Sequence, residues 1–139
     1  MTNDGTAAAN AGDGIDINGA NNTVGGSAVA DRNVVSANNG DGVHVVGDGN
    51  TVQNDRVGIA PGSPAALGNI LAGVEIEGDD NTVGDSEIGD NGPGIKIKSG
   101  SRTMVLRNRI GTATGAPLDL GNNGPGVETL GDHTTITGT

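Results

Sequence analysis

One phrase recurs five times along the chain and constrains its fold more than any other feature: a glycine, then two aliphatic or Thr positions separated by a polar residue. It begins at Gly14 (Ile15, Asp16, Ile17), Gly42 (Val43, His44, Val45), Gly73 (Val74, Glu75, Ile76), Gly94 (Ile95, Lys96, Ile97) and Gly126 (Val127, Glu128, Thr129). A turn follows each copy, and then a second apolar unit. This reads Asn22-Thr23-Val24, Asn50-Thr51-Val52 and Asn81-Thr82-Val83 in the first three copies, and Thr103-Met104-Val105 and Thr134-Thr135-Ile136 in the last two. A third apolar position stands at Val35, Val57, Ile88 and Ile110. Apolar–polar alternation with period two marks short strands with one buried face. Gly, Asn and Asp fill the corners between them, where left-handed backbone is often needed.

Three strands per repeat, closed by corners and repeated along the chain, describe the coils of a solenoid. The pattern predicts an all-β, right-handed parallel β-helix of about five three-stranded rungs. Neighbouring rungs pair in parallel about 4.8 Å apart, and the hand follows from the general preference for right-handed crossovers. The return from the third apolar position to the next glycine takes 16 residues after Val57 and after Ile110, but 7 after Val35 and 6 after Ile88. Long and short returns therefore alternate, and the structural period is two rungs. An insertion near Gly25 to Asp31 lengthens the first rung. No composition break divides the chain, so residues 1–139 are expected to form a single β-helix domain.

Composition supports the same reading. The chain has 27 glycines and no Phe, Tyr, Trp or Cys, so its core must be built from stacked aliphatic layers rather than aromatic rings. Absence of cysteine removes disulfides and thiolate metal sites. A net charge of −10 makes nucleic acid an unfavourable partner, because phosphate binding needs clustered positive charge. No basic start followed by an apolar run follows Met1, so no signal peptide is visible, and no apolar run approaches membrane-spanning length.

The outward columns test the register independently. Between the paired inward residues stand Asp16, His44, Glu75, Lys96 and Glu128, and the next outward column reads Asn18, Val46, Glu77, Lys98 and Leu130. Before the third apolar position stand Val34, Arg56, Glu87 and Arg109. Glu75–Lys96–Glu128, Glu77–Lys98 and Arg56–Glu87–Arg109 become opposite-charge neighbours across rungs, as cross-strand pairing favours.

The phrases Asn22-Thr23-Val24-Gly25-Gly26, Arg32-Asn33-Val34-Val35-Ser36, Ala66-Leu67-Gly68-Asn69 and Asn108-Arg109-Ile110-Gly111-Thr112 carry a family resemblance. Over nearly its whole length the chain resembles the right-handed parallel β-helix repeats of bacterial secreted and cell-surface proteins, the broad superfamily that includes pectate lyases. The resemblance implies an extracellular or cell-surface setting and admits adhesins, surface proteins and polysaccharide-active enzymes alike. Lyase-type members generally carry an amphipathic amino-terminal cap and large groove-walling loops, which this sequence lacks.

Several residue groups are candidates for chemistry. Glu75, Glu77, Lys96 and Lys98 share the face that polysaccharide-active members use, but they also pair one-to-one as an ion ladder. Asp48, Asp79 and Asp80 fall at matching corners of adjacent rungs, where three carboxylates would suit calcium; Asp is equally an ordinary corner residue. Asn22, Asn50 and Asn81 are expected to form an amide ladder between rungs. The Thr23, Thr51, Thr82 and Thr135 column suits an ice-binding face poorly, because Met104 interrupts it. His44 and His133 fall on different columns and read as surface residues. The leading expectation is a noncatalytic structural or surface solenoid that assembles end to end with itself or with neighbouring rungs. The alternative is a polysaccharide-binding or polysaccharide-active module of lyase or epimerase type. No cofactor is called for, apart from calcium at the Asp corner.

Overall fold

A computed structural model describes residues 9–60, 66–115 and 119–139 of the chain. Its strands come in threes. The first rung holds β1 (Ile15–Asn18), β2 (Thr23–Gly25) and β3 (Val34–Val35), and the second holds β4 (Val43–Val46), β5 (Thr51–Gln53) and β6 (Arg56–Val57). The third holds β7 (Val74–Glu77), β8 (Thr82–Gly84) and β9 (Glu87–Ile88), and the fourth β10 (Ile95–Ser99), β11 (Met104–Leu106) and β12 (Arg109–Ile110). The fifth contributes β13 (Val127–Thr129) and β14 (Thr135–Thr137).

Equivalent strands of successive rungs stack into three sheets, in the orders β1-β4-β7-β10-β13, β2-β5-β8-β11-β14 and β3-β6-β9-β12. Every ladder between these strands is parallel. The chain is a right-handed parallel β-helix. The inward columns form one continuous core: Val43, Val45, Val52, Val57, Val74, Ile76, Val83, Ile88, Ile95, Ile97 and Val105 are all fully buried. Stacking of β-branched side chains in these layers replaces the aromatic core that the composition forbids.

One register differs from the sequence reading. Ile97 lies opposite Ile76, but Ser99 rather than Lys98 then lies opposite Glu77. The fourth rung has an additional residue before its second apolar unit, and the end of β10 takes it up as an irregularity, so Lys98 bulges outward. Its ammonium still reaches Glu77 Oε1 at 2.8 Å.

The alternation of returns has a structural use. Ile59, on the long return of the second rung, packs with Ala113 and Leu120, on that of the fourth, in a second small buried cluster. This cluster lies against the short return of the third rung, where Asp90 N–H donates to the Leu120 carbonyl. The insertion in the first rung forms a 3-10 turn at Val29–Asp31, from which Arg32 extends to the Asn54 carbonyl at 3.1 Å.

Side-chain ladders at the corners link rung to rung. Asn50 Oδ1 accepts from the Asn22 N–H (2.9 Å) and Nδ2 (3.1 Å), and Asn50 Nδ2 donates to the Gly19 carbonyl. Asn81 repeats this arrangement, accepting from the Asn50 N–H and donating to the Gly47 carbonyl. The run of asparagines gives way at Thr103, whose buried hydroxyl has no hydrogen-bond partner among the described residues. A longer ladder that sequence reasoning missed runs through Asn10, Asn38, Asn69, Asn91 and Asn122, each amide donating to the next side-chain carbonyl at 2.8–3.4 Å. Its members precede the repeat glycines, where asparagine reads as an ordinary turn residue.

Candidate functional site on the first sheet

The outward face of the first sheet gathers most of the chain's chemically versatile side chains. Parallel pairing sets Asp16 opposite His44, His44 opposite Glu75, Glu75 opposite Lys96, and Lys96 opposite Glu128. Lys96 Nζ lies 2.9 Å from Glu75 Oε2, while Lys98 Nζ lies 3.4 Å from Glu75 Oε1 and 2.8 Å from Glu77 Oε1. Glu128 shares the register, but the Lys96 ammonium turns toward Glu75.

These ion pairs hold their charges. The Lys98 hydrogen bond, with His44 beside it, keeps the Glu77 carboxyl below the usual carboxylate range. The Glu75 contact raises Lys96, and the Glu77 contact raises Lys98. A general base or acid working near neutrality needs the opposite: a raised carboxyl or a lowered amine. Glu77, Lys96 and Lys98 are thus suited to pairing neighbouring rungs, and as held here they are poorly suited to proton transfer near neutrality.

His44 corrects the sequence reading, which took it for a surface residue without ligand partners. It is partly buried and sits between carboxylates drawn from the two neighbouring rungs. Nε2 lies 3.2 Å from Glu77 Oε1 and 3.8 Å from Glu75 Oε1; Nδ1 lies 3.4 Å from Asp16 Oδ1 and 3.7 Å from Asp13 Oδ2. Neither Asp13 nor Glu77 adjoins His44 in sequence; the 28- and 31-residue steps of the first two rungs bring them together. Just behind, Asp41 is 5% exposed, and burial pushes its carboxyl up, with Glu75 and Asp13 adding to the effect.

Asp48, Asp79 and Asp80 lie at one corner between the first and second sheets. Most of their oxygens are already engaged: Asp48 Oδ1 accepts from the Asp79 N–H at 2.8 Å, and Asp79 Oδ1 from the Ser101 N–H at 2.9 Å. Arg102 clamps Asp80 through two hydrogen bonds of 2.7 Å and reaches Asp79 at 3.3 Å. Arg102 therefore competes with any cation for Asp79 and Asp80, and it carried no signal in the sequence beyond its charge.

On the third sheet Arg56 and Arg109 flank Glu87 in register. Glu87 is almost fully buried; Arg56 Nε meets it at 2.8 Å, Arg109 at 3.6 Å and Arg32 at 3.8 Å. Burial acts to raise its carboxyl, but hydrogen bonds from Thr114 and Arg56 outweigh it and leave Glu87 lowered. Arg32 joins this cluster by way of the first-rung insertion, which the strand pattern could not place.

No family model, no curated protein and no solved structure matches this chain. The β-solenoid scaffold is therefore established by its own strand order and register.

Proposed function

We propose that the chain is a noncatalytic structural solenoid that stacks end to end on further copies of itself, in an extracellular or cell-surface setting. The observation that carries this reading is the edge of the second sheet at β14, which among the described residues has β11 as its one partner strand. Thr135 N–H donates to the Thr103 carbonyl, and the Thr137 carbonyl accepts from the Arg107 N–H. Strand alternation then turns the backbone N–H and C=O of Ile136 away from β11, toward the next rung position. Its side chain is 47% exposed, whereas Val105, Val83 and Val52 in the same column are fully buried. At the other end Ile15 and Ile17 are only half-buried. Unpaired edges over apolar columns are templates for another β-helix rung.

Light scattering across a concentration series, with electron microscopy of the same samples, tests the proposal. Filaments or discrete stacks that grow with concentration support it. A monomer at every concentration overturns copy-on-copy stacking and leaves further rungs of one polypeptide as the natural cover for these edges.

A second reading, a polysaccharide-binding module, draws on the groove lined by Arg32, Arg107 and Arg109, whose positive charges outnumber the Asp85 and Glu87 carboxylates in the same lining. Saturable retention on an acidic glycan column, lost at high salt, would favour it.

A further inference from the structure

The His44 environment carries an inference that does not depend on stacking. An ionised carboxylate only accepts hydrogen bonds. Glu77, held ionised by Lys98, therefore requires the proton of the neutral imidazole to be on Nε2, the nitrogen 3.2 Å from Glu77 Oε1. The Nδ1 lone pair then faces Asp16 Oδ1 at 3.4 Å and Asp13 Oδ2 at 3.7 Å. In that tautomer three electron-rich atoms lie close together, and both separations exceed the about 2.7–2.9 Å of a charge-assisted N–H···O bond. Something positive between them would resolve the repulsion.

The remaining oxygens of the two aspartates are already used to orient them. Asp13 Oδ1 accepts from the Asp41 N–H at 2.7 Å, and Asp16 Oδ2 from the Asn18 amide at 3.0 Å. Each residue thus keeps one donor atom free, and one such atom from each of Asp13, Asp16 and His44 lies within 4.8 Å of the others. An imidazole whose other nitrogen donates to a carboxylate, beside carboxylates fixed by their own hydrogen bonds, is the outer arrangement typical of metal-ligating histidines.

The spacing fits zinc, and the donor set discriminates among ions. Tetrahedral zinc, with bonds of about 2.0–2.2 Å, places its donors about 3.3–3.6 Å apart, close to the observed 3.4 and 3.7 Å. The nitrogen donor disfavours calcium and magnesium, which take oxygen ligands. The lysines do not compete, because Lys96 and Lys98 are engaged by Glu75 and Glu77. Asp16 is half-exposed, so a fourth position is open to water.

We propose that Asp13, Asp16 and His44 form a surface binding site for a first-row divalent cation, with zinc the best fit, in which Glu77 orients the imidazole.

Isothermal titration of zinc into the full chain tests the site, with His44→Ala, Asp16→Asn and, as control, His133→Ala, each checked for fold by circular dichroism. The expected result is one zinc per chain, weakened at least tenfold by His44→Ala and by Asp16→Asn and unchanged by His133→Ala. Absence of stoichiometric binding to the parent chain, or equal binding by His44→Ala, overturns the proposal. Nitrogen-resolved NMR of the His44 ring separates zinc from a simple proton. Under saturating zinc the site requires Nδ1 to lose any proton while Nε2 keeps its own. An Nδ1 that stays protonated would show that an imidazolium alone fills the space.

Discussion

At the scale of single residues, the most informative side chain is Asp55, fully buried at the corner between the second and third sheets. Its Oδ1 accepts from the Asn33 N–H at 2.8 Å and the Asn33 amide at 3.0 Å, but its buried Oδ2 has no partner. Two rungs on, Asn108 occupies the same column: its Oδ1 accepts from the Ser86 N–H, and its Nδ2 donates to the Val83 carbonyl at 2.9 Å. Asp55 thus presents an acceptor where Asn108 presents a donor. Burial pushes the Asp55 carboxyl up, against the opposing pull of the Asn33 hydrogen bonds and Arg32. A group raised on folding binds more protons folded than unfolded. Its protonation therefore adds stability as pH falls through the folded value toward the unfolded one near about 3.9, and that stability is lost as pH rises. Asp55→Asn supplies the missing donor without titrating. Urea unfolding at pH 8 is expected to show it more stable than the parent by about 1–2 kcal/mol, with the gap narrowing toward pH 4. A less stable variant at pH 8 would mean that the ionised carboxylate is the better fit.

At the scale of elements, the corners decide which residues are replaceable. Asn54 and Asp80 turn corners near φ +58 to +59, a left-handed region that Asn and Asp enter at modest cost. Gly47 and Gly78 turn theirs at φ +131 and +137, where a side chain is strained, and a Cβ on Gly78 would lie 2.3 Å from the Gly47 carbonyl. Gly78→Ala is therefore expected to lower stability by about 3 kcal/mol or more, read from the urea midpoint. Gly12→Ala, where an added Cβ meets nothing within 4 Å, should be nearly neutral. Equal effects would show that rung spacing at these corners is not set by contact. The inward columns were legible because period two and the glycine anchor fix them jointly, so a one-residue slip would expose every valine. The extra residue of β10 was not placed by that pattern, since a bulge changes outward neighbours while leaving Ile95 and Ile97 inside. The His44 surroundings were illegible for a related reason. Asp13 precedes its rung's glycine and lies outside the strand pattern, and Glu77 is a diagonal rather than a direct neighbour.

At the scale of the whole molecule, a solenoid has no centre, and its stability and its association draw on the same contacts. Each interior rung buries its aliphatic columns between two neighbours, while the rung holding Ile136 has one neighbour among the described residues. Ile136→Lys separates folding from stacking. At 47% exposure a lysine can carry its ammonium into solvent along the flexible stem, so the isolated chain should keep its strand content and lose little stability. A copy stacked on that edge would bury the same ammonium over an apolar column without a partner, a cost of several kcal/mol. Lysine on an edge strand is also a recurrent natural block to strand addition. If copies stack through β14, Ile136→Lys should shift the onset of large species by at least tenfold in concentration, read by light scattering, with circular dichroism unchanged. Leu71→Lys, at a 52% exposed side chain on an interior return, adds the same charge without touching an edge column and should leave the onset nearly where it was. Loss of assembly in both variants would trace association to surface charge, and persistence in both would move the contact away from the ends of the helix.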